Sequence, residues 1–211
     1  MKIGIFDSGK GGTTVMAAIK KLLPRADYFY IGDSKNCPYG EKSDAELMRI
    51  VRGHVETLKK WGAEIIVIAC NTATTRCIEN LRVEYPELKF VGTEPAIKLA
   101  AESDAKKVLV MATPGTVESE RIAQLLEENQ KSGQEIELLA CAGLADAIEL
   151  DDGVRAKLQG LLSDVARDFG IVVLGCTHYS LIKTEIQKYF PSAKLIDGNE
   201  GVAKRVIAIT D

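Results

Sequence analysis

The sequence predicts an α/β fold of two similar lobes, each a mostly parallel sheet flanked by helices, with a site between them. Three observations carry this. Strand-like and helix-like patterns alternate from the first residue. The strand-like runs are apolar at successive positions, as in strands buried on both faces, and do not alternate apolar with polar. One strand–turn–helix unit is written twice, at Ile65-Ile66-Val67-Ile68-Ala69-Cys70-Asn71-Thr72 and at Ile171-Val172-Val173-Leu174-Gly175-Cys176-Thr177-His178.

Taken in order, residues 2–6 read as a buried strand leading into a glycine-rich turn. Residues 14–23 read as a helix stopped by Pro24. A second strand over 28–32 ends in a polar loop with Pro38-Tyr39-Gly40. Ser43 opens a long helical pattern with Asp44 and Glu46 in its first turn and Gly62 beyond its end. Residues 64–69 form a β-branched apolar run. A helix, a short strand (89–92), a helix, a strand (107–112), a helix and a strand (134–139) follow. Residues 153–169 read as one helix, and 171–175 as another buried strand. Such βαβ alternation implies parallel sheets, whose ligands bind at the carboxyl ends of the strands. The helices after the two cysteines are expected to run to Tyr85-Pro86 and Phe190-Pro191. The expected division is a first lobe of residues 1–93 plus 198–211 and a second of 94–197.

Composition narrows the function. The 211 residues are 46% hydrophobic and 27% charged, ordinary for a globular chain. With 27 Lys and Arg against 30 Asp and Glu, the net charge is −3, which argues against a nucleic-acid groove or an anionic membrane as partner. No apolar run approaches the roughly 20 residues of a membrane span. No secretory leader pattern opens the chain, so a reducing cytoplasm and free thiols are expected.

Cys37, Cys70, Cys77, Cys141 and Cys176 are odd in number and form no C-x-x-C pair, so zinc ribbons and redox dithiols are unsupported. Cys70 and Cys176 differ from the others in standing where a buried strand meets a helix. Unpaired backbone amides and the positive end of the helix dipole stabilise a thiolate there. The plain alternative is that both are small packing residues. Two thiols in matching contexts, each followed by hydrogen-bonding residues, suit racemisation, which takes a proton from one face of a carbon and returns one to the other. Helix-end amides and Ser or Thr hydroxyls would stabilise the carbanion, and neither metal nor cofactor is required. Cys37, Cys77, Cys141 and Trp61 read as packing residues.

Asp7 and Ser8 follow the first strand, where an acid could orient a thiol or an ammonium group. Gly9-Lys10-Gly11-Gly12 lacks the ending of a phosphate loop and reads as a turn needing flexible backbone. His178, two residues past Cys176, could assist proton transfer; His54 reads as lining a helix face. Thr113 and Thr116 read either as a helix cap or as a carboxylate cradle. Glu149 alone would read as surface.

Together, Ile5-Phe6-Asp7-Ser8-Gly9-Lys10-Gly11-Gly12, Gly32-Asp33 with Pro38-Tyr39-Gly40, Ala69-Cys70-Asn71-Thr72-Ala73 and Gly175-Cys176-Thr177-His178-Tyr179 resemble the glutamate racemases of the aspartate/glutamate racemase superfamily, over almost the whole chain. The resemblance implies a cofactor-independent isomerase that interconverts L- and D-glutamate and supplies D-glutamate for peptidoglycan synthesis. It implies that Cys70 takes the α-proton of D-glutamate and Cys176 that of L-glutamate. Asp7 would support Cys70, and His178 with Glu149 would support Cys176. Substrate contacts would come from Asp7, Ser8, Pro38, Tyr39, Gly40, Asn71, Thr72, Thr113, Thr116, Thr177 and His178. Homodimers are common in the family. The alternatives are a racemase of another acidic amino acid, such as aspartate, and a non-catalytic α/β binding protein with thiols. Ser180 stands where the family usually has Pro, and Lys10 where it has an apolar residue. The family continues beyond Asp197 with a segment packing on the first lobe, so a chain ending at Asp211 is expected to leave that lobe less covered.

Overall fold

A computed structural model describes residues 1–210. The chain forms two compact units: Met1–Glu94 together with the segment that starts at Asn199, and Pro95–Gly198.

The first unit contains strands β1 (Lys2–Asp7), β2 (Asp27–Gly32), β3 (Ile65–Ile68) and β4 (Lys89–Gly92), paired in parallel in the order β2-β1-β3-β4. Helices α1 (Gly12–Leu22), α2 (Asp44–Lys60) and α3 (Asn71–Glu84) connect them. The second unit holds helix α4 (Ile97–Ala101), strand β5 (Lys107–Ala112), helices α5 (Pro114–Val117) and α6 (Glu120–Asn129), and strand β6 (Glu135–Ala140). Helices α7 (Leu144–Leu150) and α8 (Val154–Leu162) follow, then β7 (Ile171–Leu174), α9 (Thr177–Leu181), α10 (Lys183–Tyr189) and β8 (Lys194–Asp197). Its sheet order is β6-β5-β7-β8, again all parallel. The chain then returns to the first unit as α11 (Asn199–Ala208), which packs on α1 and β4.

The two sheets share one topology, so the repeated sequence unit marks the same place in each. The apolar runs explain this arrangement. All four residues of β3 and of β7 are buried, because helices cover both faces of each sheet. Ile3, Ile5, Val67 and Val91 pack with Val15 and Ile19 of α1 and with Val202 and Val206 of α11. Phe6, Ile66 and Ile68 pack on the other face with Leu47, Val51, Val55 and Leu58 of α2. Each such side chain contributes roughly 1.5–3 kcal/mol on full burial. Helix α2 starts where Ser43 accepts the Glu46 amide, as its N-cap pattern predicts.

Three expectations need correction. The helix expected over 153–169 stops at Leu162, whose carbonyl accepts from the Arg167 guanidinium. The chain then bends so that Phe169 enters the core against Phe190, and Gly170 donates to the Lys107 carbonyl at the start of β7. The helix after Cys176 is broken at Ile182, whereas its counterpart α3 is continuous. At the break the Ile182 amide reaches back to Tyr179, and the Ile182 side chain lies in the second unit's core. Finally, the glycine turn after β1 contains no residue of positive φ. Glycine is needed at position 12 for close approach, since a Cβ there would lie 2.6 Å from the Asp7 Cβ.

Candidate active site

Parallel pairing sets the two thiols at equivalent strand ends. In the first unit Phe6 pairs with Ile68, and the Ala69 amide donates to the Phe6 carbonyl at 2.9 Å, bringing Asp7 and Ser8 alongside Ala69 and Cys70. In the second, Met111 pairs with Leu174 and the Gly175 amide donates to the Met111 carbonyl at 2.7 Å, bringing Thr113 to the level of Cys176. Each cysteine is the residue before a helix, α3 or α9, and each is buried.

Around Cys70 the nearby acid–base group is Asp7. It is fully buried, and its Oδ2 accepts from the amides of Gly12 at 2.8 Å and Gly9 at 3.3 Å. The start of α1 can wrap this carboxylate because Gly12 leaves room for it. Burial, followed by the Asp7 charge, pushes the Cys70 thiol up to about 11, although the amides of Ala73 and Thr72 and the Ser8 hydroxyl hydrogen bond to it and act in the opposite direction. The expected stabilisation by the helix end is therefore present but outweighed. Cys70 rests as a thiol, and once ionised it is a strong base. Beside it Asn71 and Thr72 are buried, and Asn71 Oδ1 has no hydrogen-bond partner among the described residues.

Around Cys176 the group is an imidazole. Its Sγ lies 3.8 Å from His178 Nδ1, and His178 Nε2 lies 2.8 Å from Glu149 Oε2. His178 and Glu149 are 1% and 8% exposed, so this contact is shielded from water. A proton on Nε2 satisfies Glu149 and leaves Nδ1 to accept from the thiol. The Glu149 side chain is thus buried, not on the surface as its position alone suggests. It is brought in by α7, which ends in a left-handed turn at Asp151. Thr113 is the residue before α5, yet its hydroxyl makes no cap bond; its Oγ1 lies 3.0 Å from Oγ1 of the fully buried Thr116. Thr177 is buried at the first turn of α9. Ser180 donates to Asp197 at the end of β8, a bond that a proline could not make.

The remaining sequence candidates lie in the first unit. Tyr39 is buried, while Pro38 and Gly40 are half-buried in the same loop. Sequence reasoning missed Asp33 and His54: Asp33 Oδ2 accepts from the Tyr39 hydroxyl at 2.8 Å and lies 2.9 Å from His54 Nε2. Only the Gly32-Asp33 motif hinted at the former, and nothing in the helical pattern marked the latter. Cys77 and Cys141 lie in the cores, and burial pushes both up to about 12. Trp61, packed against Phe29, remains 46% exposed. Among the described residues no three His, Cys, Asp or Glu side chains group as a metal site, and no helix is long and apolar enough to cross a membrane.

The Asp/Glu/Hydantoin racemase family model matches residues 3–206. The chain belongs to the Asp/Glu/Hydantoin racemase family. Within it, the chain is 39% identical to the glutamate racemase of Clostridium acetobutylicum over 212 aligned positions, covering 97% of this chain and 82% of that one. Among solved structures it is similar to Escherichia coli glutamate racemase in complex with L-glutamate and the activator UDP-MurNAc-ala. That match has a TM-score of 0.90 at 32% identity and covers 98% of this chain and 81% of that one. It is also similar to the Francisella tularensis glutamate racemase in complex with D-glutamate, with a TM-score of 0.82 at 28% identity, covering 99% and 80% of the two chains.

Proposed function

We propose that this chain is a glutamate racemase in which Cys70 and Cys176 exchange the roles of proton acceptor and donor. The observation that carries this reading is a buried thiol at the same strand end of two like-folded units, each beside its own acid–base group. Burial, with the Asp7 charge added to it, makes the Cys70 thiolate strongly basic. His178, backed by Glu149, can take the Cys176 proton and return it. In the assigned roles, Cys70 abstracts from D-glutamate while Cys176 reprotonates, and the reverse holds for L-glutamate. The Asn71 oxygen is a buried acceptor whose isolation costs on the order of 1–3 kcal/mol, a cost that a substrate ammonium group would relieve. Ser8, Thr72, Thr113, Thr116, Thr177 and the Pro38–Gly40 loop supply donors for the carboxylates, and the carbanion is held by these groups without a cofactor. The product, D-glutamate, serves peptidoglycan synthesis.

The test is loss of optical rotation from L-glutamate and from D-glutamate with purified protein, with aspartate as comparator. Racemisation of both glutamate enantiomers and slow turnover of aspartate is the expected result. Turnover of aspartate alone, or of neither, would overturn it.

A further inference from the structure

Three side chains of the first unit converge on one carboxylate that the thiol chemistry does not use. Asp33, just after β2, accepts from the Tyr39 hydroxyl at 2.8 Å and from Asn36 Nδ2, which is 2.9 Å from both carboxylate oxygens. His54 Nε2 lies 2.9 Å from the same Oδ2 and 3.1 Å from the Tyr39 oxygen. Asp33 and Tyr39 are 8% and 2% exposed. Burial opposes charge on Asp33, but the hydrogen bonds from Asn36, His54 and Tyr39, with the His54 charge, outweigh it and hold the carboxyl below its ordinary range.

This cluster is also fixed to the Cys70 half-site. The Asp33 amide donates to the Asp7 carbonyl at 2.9 Å, and the His54 ring packs on Phe6, one residue before Asp7, at 5.7 Å between centroids. Tyr39 is near enough to Cys70 and Asp7 for their charges to oppose its ionisation. Its hydroxyl proton is committed to Asp33, so the loop offers a ligand its backbone and ring rather than that proton.

We propose that Asp33 and His54 are positioning residues: by holding the Tyr39 hydroxyl, they fix the Pro38–Gly40 loop in the shape that receives a substrate carboxylate. This rests on the reading of that loop as a substrate contact. A loop that grips substrate and transition state alike contributes uniform binding, so loosening it raises KM and leaves kcat nearly unchanged.

The experiment is steady-state racemisation in both directions by the full chain, with calorimetric D-glutamate binding alongside. Tyr39→Phe removes one hydrogen bond and should raise KM and Kd roughly 3- to 10-fold with kcat within about twofold. Asp33→Asn should do the same or more, and the double variant should add little to Asp33→Asn, because both act through one bond. His54→Phe, which keeps a ring against Phe6, should raise KM, and His54→Gln, which keeps a donor, should restore most of the loss. If Asp33→Asn fails to fold, Tyr39→Phe and the His54 pair decide alone. Unchanged KM in Tyr39→Phe, additive effects in the double variant, or a kcat loss matching the KM rise would overturn the proposal. A wild-type chain that neither binds nor turns over glutamate would instead overturn the functional reading beneath it.

Discussion

The two cysteine sites occupy the same position in two sheets of the same topology, yet the protein surrounds them differently. Cys70 has a fixed anion beside it: Asp7, locked by the Gly9 and Gly12 amides. Cys176 has an imidazole beside it: His178, backed by Glu149. The helix after Cys70 is continuous, and the one after Cys176 is broken at Ile182. The difference teaches that a shared fold delivers a buried thiol to the right place, while the neighbour beside it differs: a carboxylate that adds to the effect of burial at Cys70, an imidazole at Cys176. An anion raises the thiol's basicity, whereas an imidazole stores its proton.

The largest effect that could break this comparison is loss of a thiol. Cys70→Ser and Cys176→Ser should each lower kcat by at least about 10³-fold with the circular dichroism spectrum unchanged. Near-normal turnover in either would remove that thiol from the mechanism. Next, Glu149→Gln weakens the partner of His178 and should lower kcat by about 10- to 100-fold, whereas Cys70 alkylation should stay as in the wild type. An altered Cys70 rate would show that the two sites are not independently tuned.

Gly12→Ala forces a Cβ to 2.6 Å from Asp7 and should cost on the order of 1–3 kcal/mol in denaturant unfolding, with reduced kcat. Unaltered stability would mean that α1 shifts freely. The smallest effect is kinetic. Because the Cys70 pKa is raised to about 11, iodoacetamide labelling of its peptide should climb about tenfold per pH unit from pH 7 to 10. A plateau near pH 8.5 would mean that burial and Asp7 do not govern this thiol.

The strand–Cys–helix repeat was legible in the sequence because buried parallel strands leave continuous apolar runs, as in Ile65–Ile68 and Ile171–Leu174. The placement of Asp7 beside Cys70 follows from the parallel register of β1 on β3, which pairs Phe6 with Ile68. Glu149 was legible only through the family resemblance, and the partner of His54 not at all. Each reaches its partner over a long sequence separation, from a helix whose periodicity reports only which face is apolar. The overlong helix over 153–169 failed for a related reason: local pattern cannot show that Phe169 must turn into the core opposite Phe190. Gly12 was recognised as a turn glycine, but its actual need, room beside Asp7, is a tertiary one.

The most direct test of the two-thiol account is racemisation of L-glutamate in D2O, stopped at a few per cent conversion, with both enantiomers recovered for mass analysis. If one thiol takes the proton and the other returns a solvent-exchanged one, the D-glutamate carries deuterium at Cα while the recovered L-glutamate carries almost none. Equal labelling of both enantiomers, or an unlabelled product, would mean that a single group handles the proton and would contradict the account.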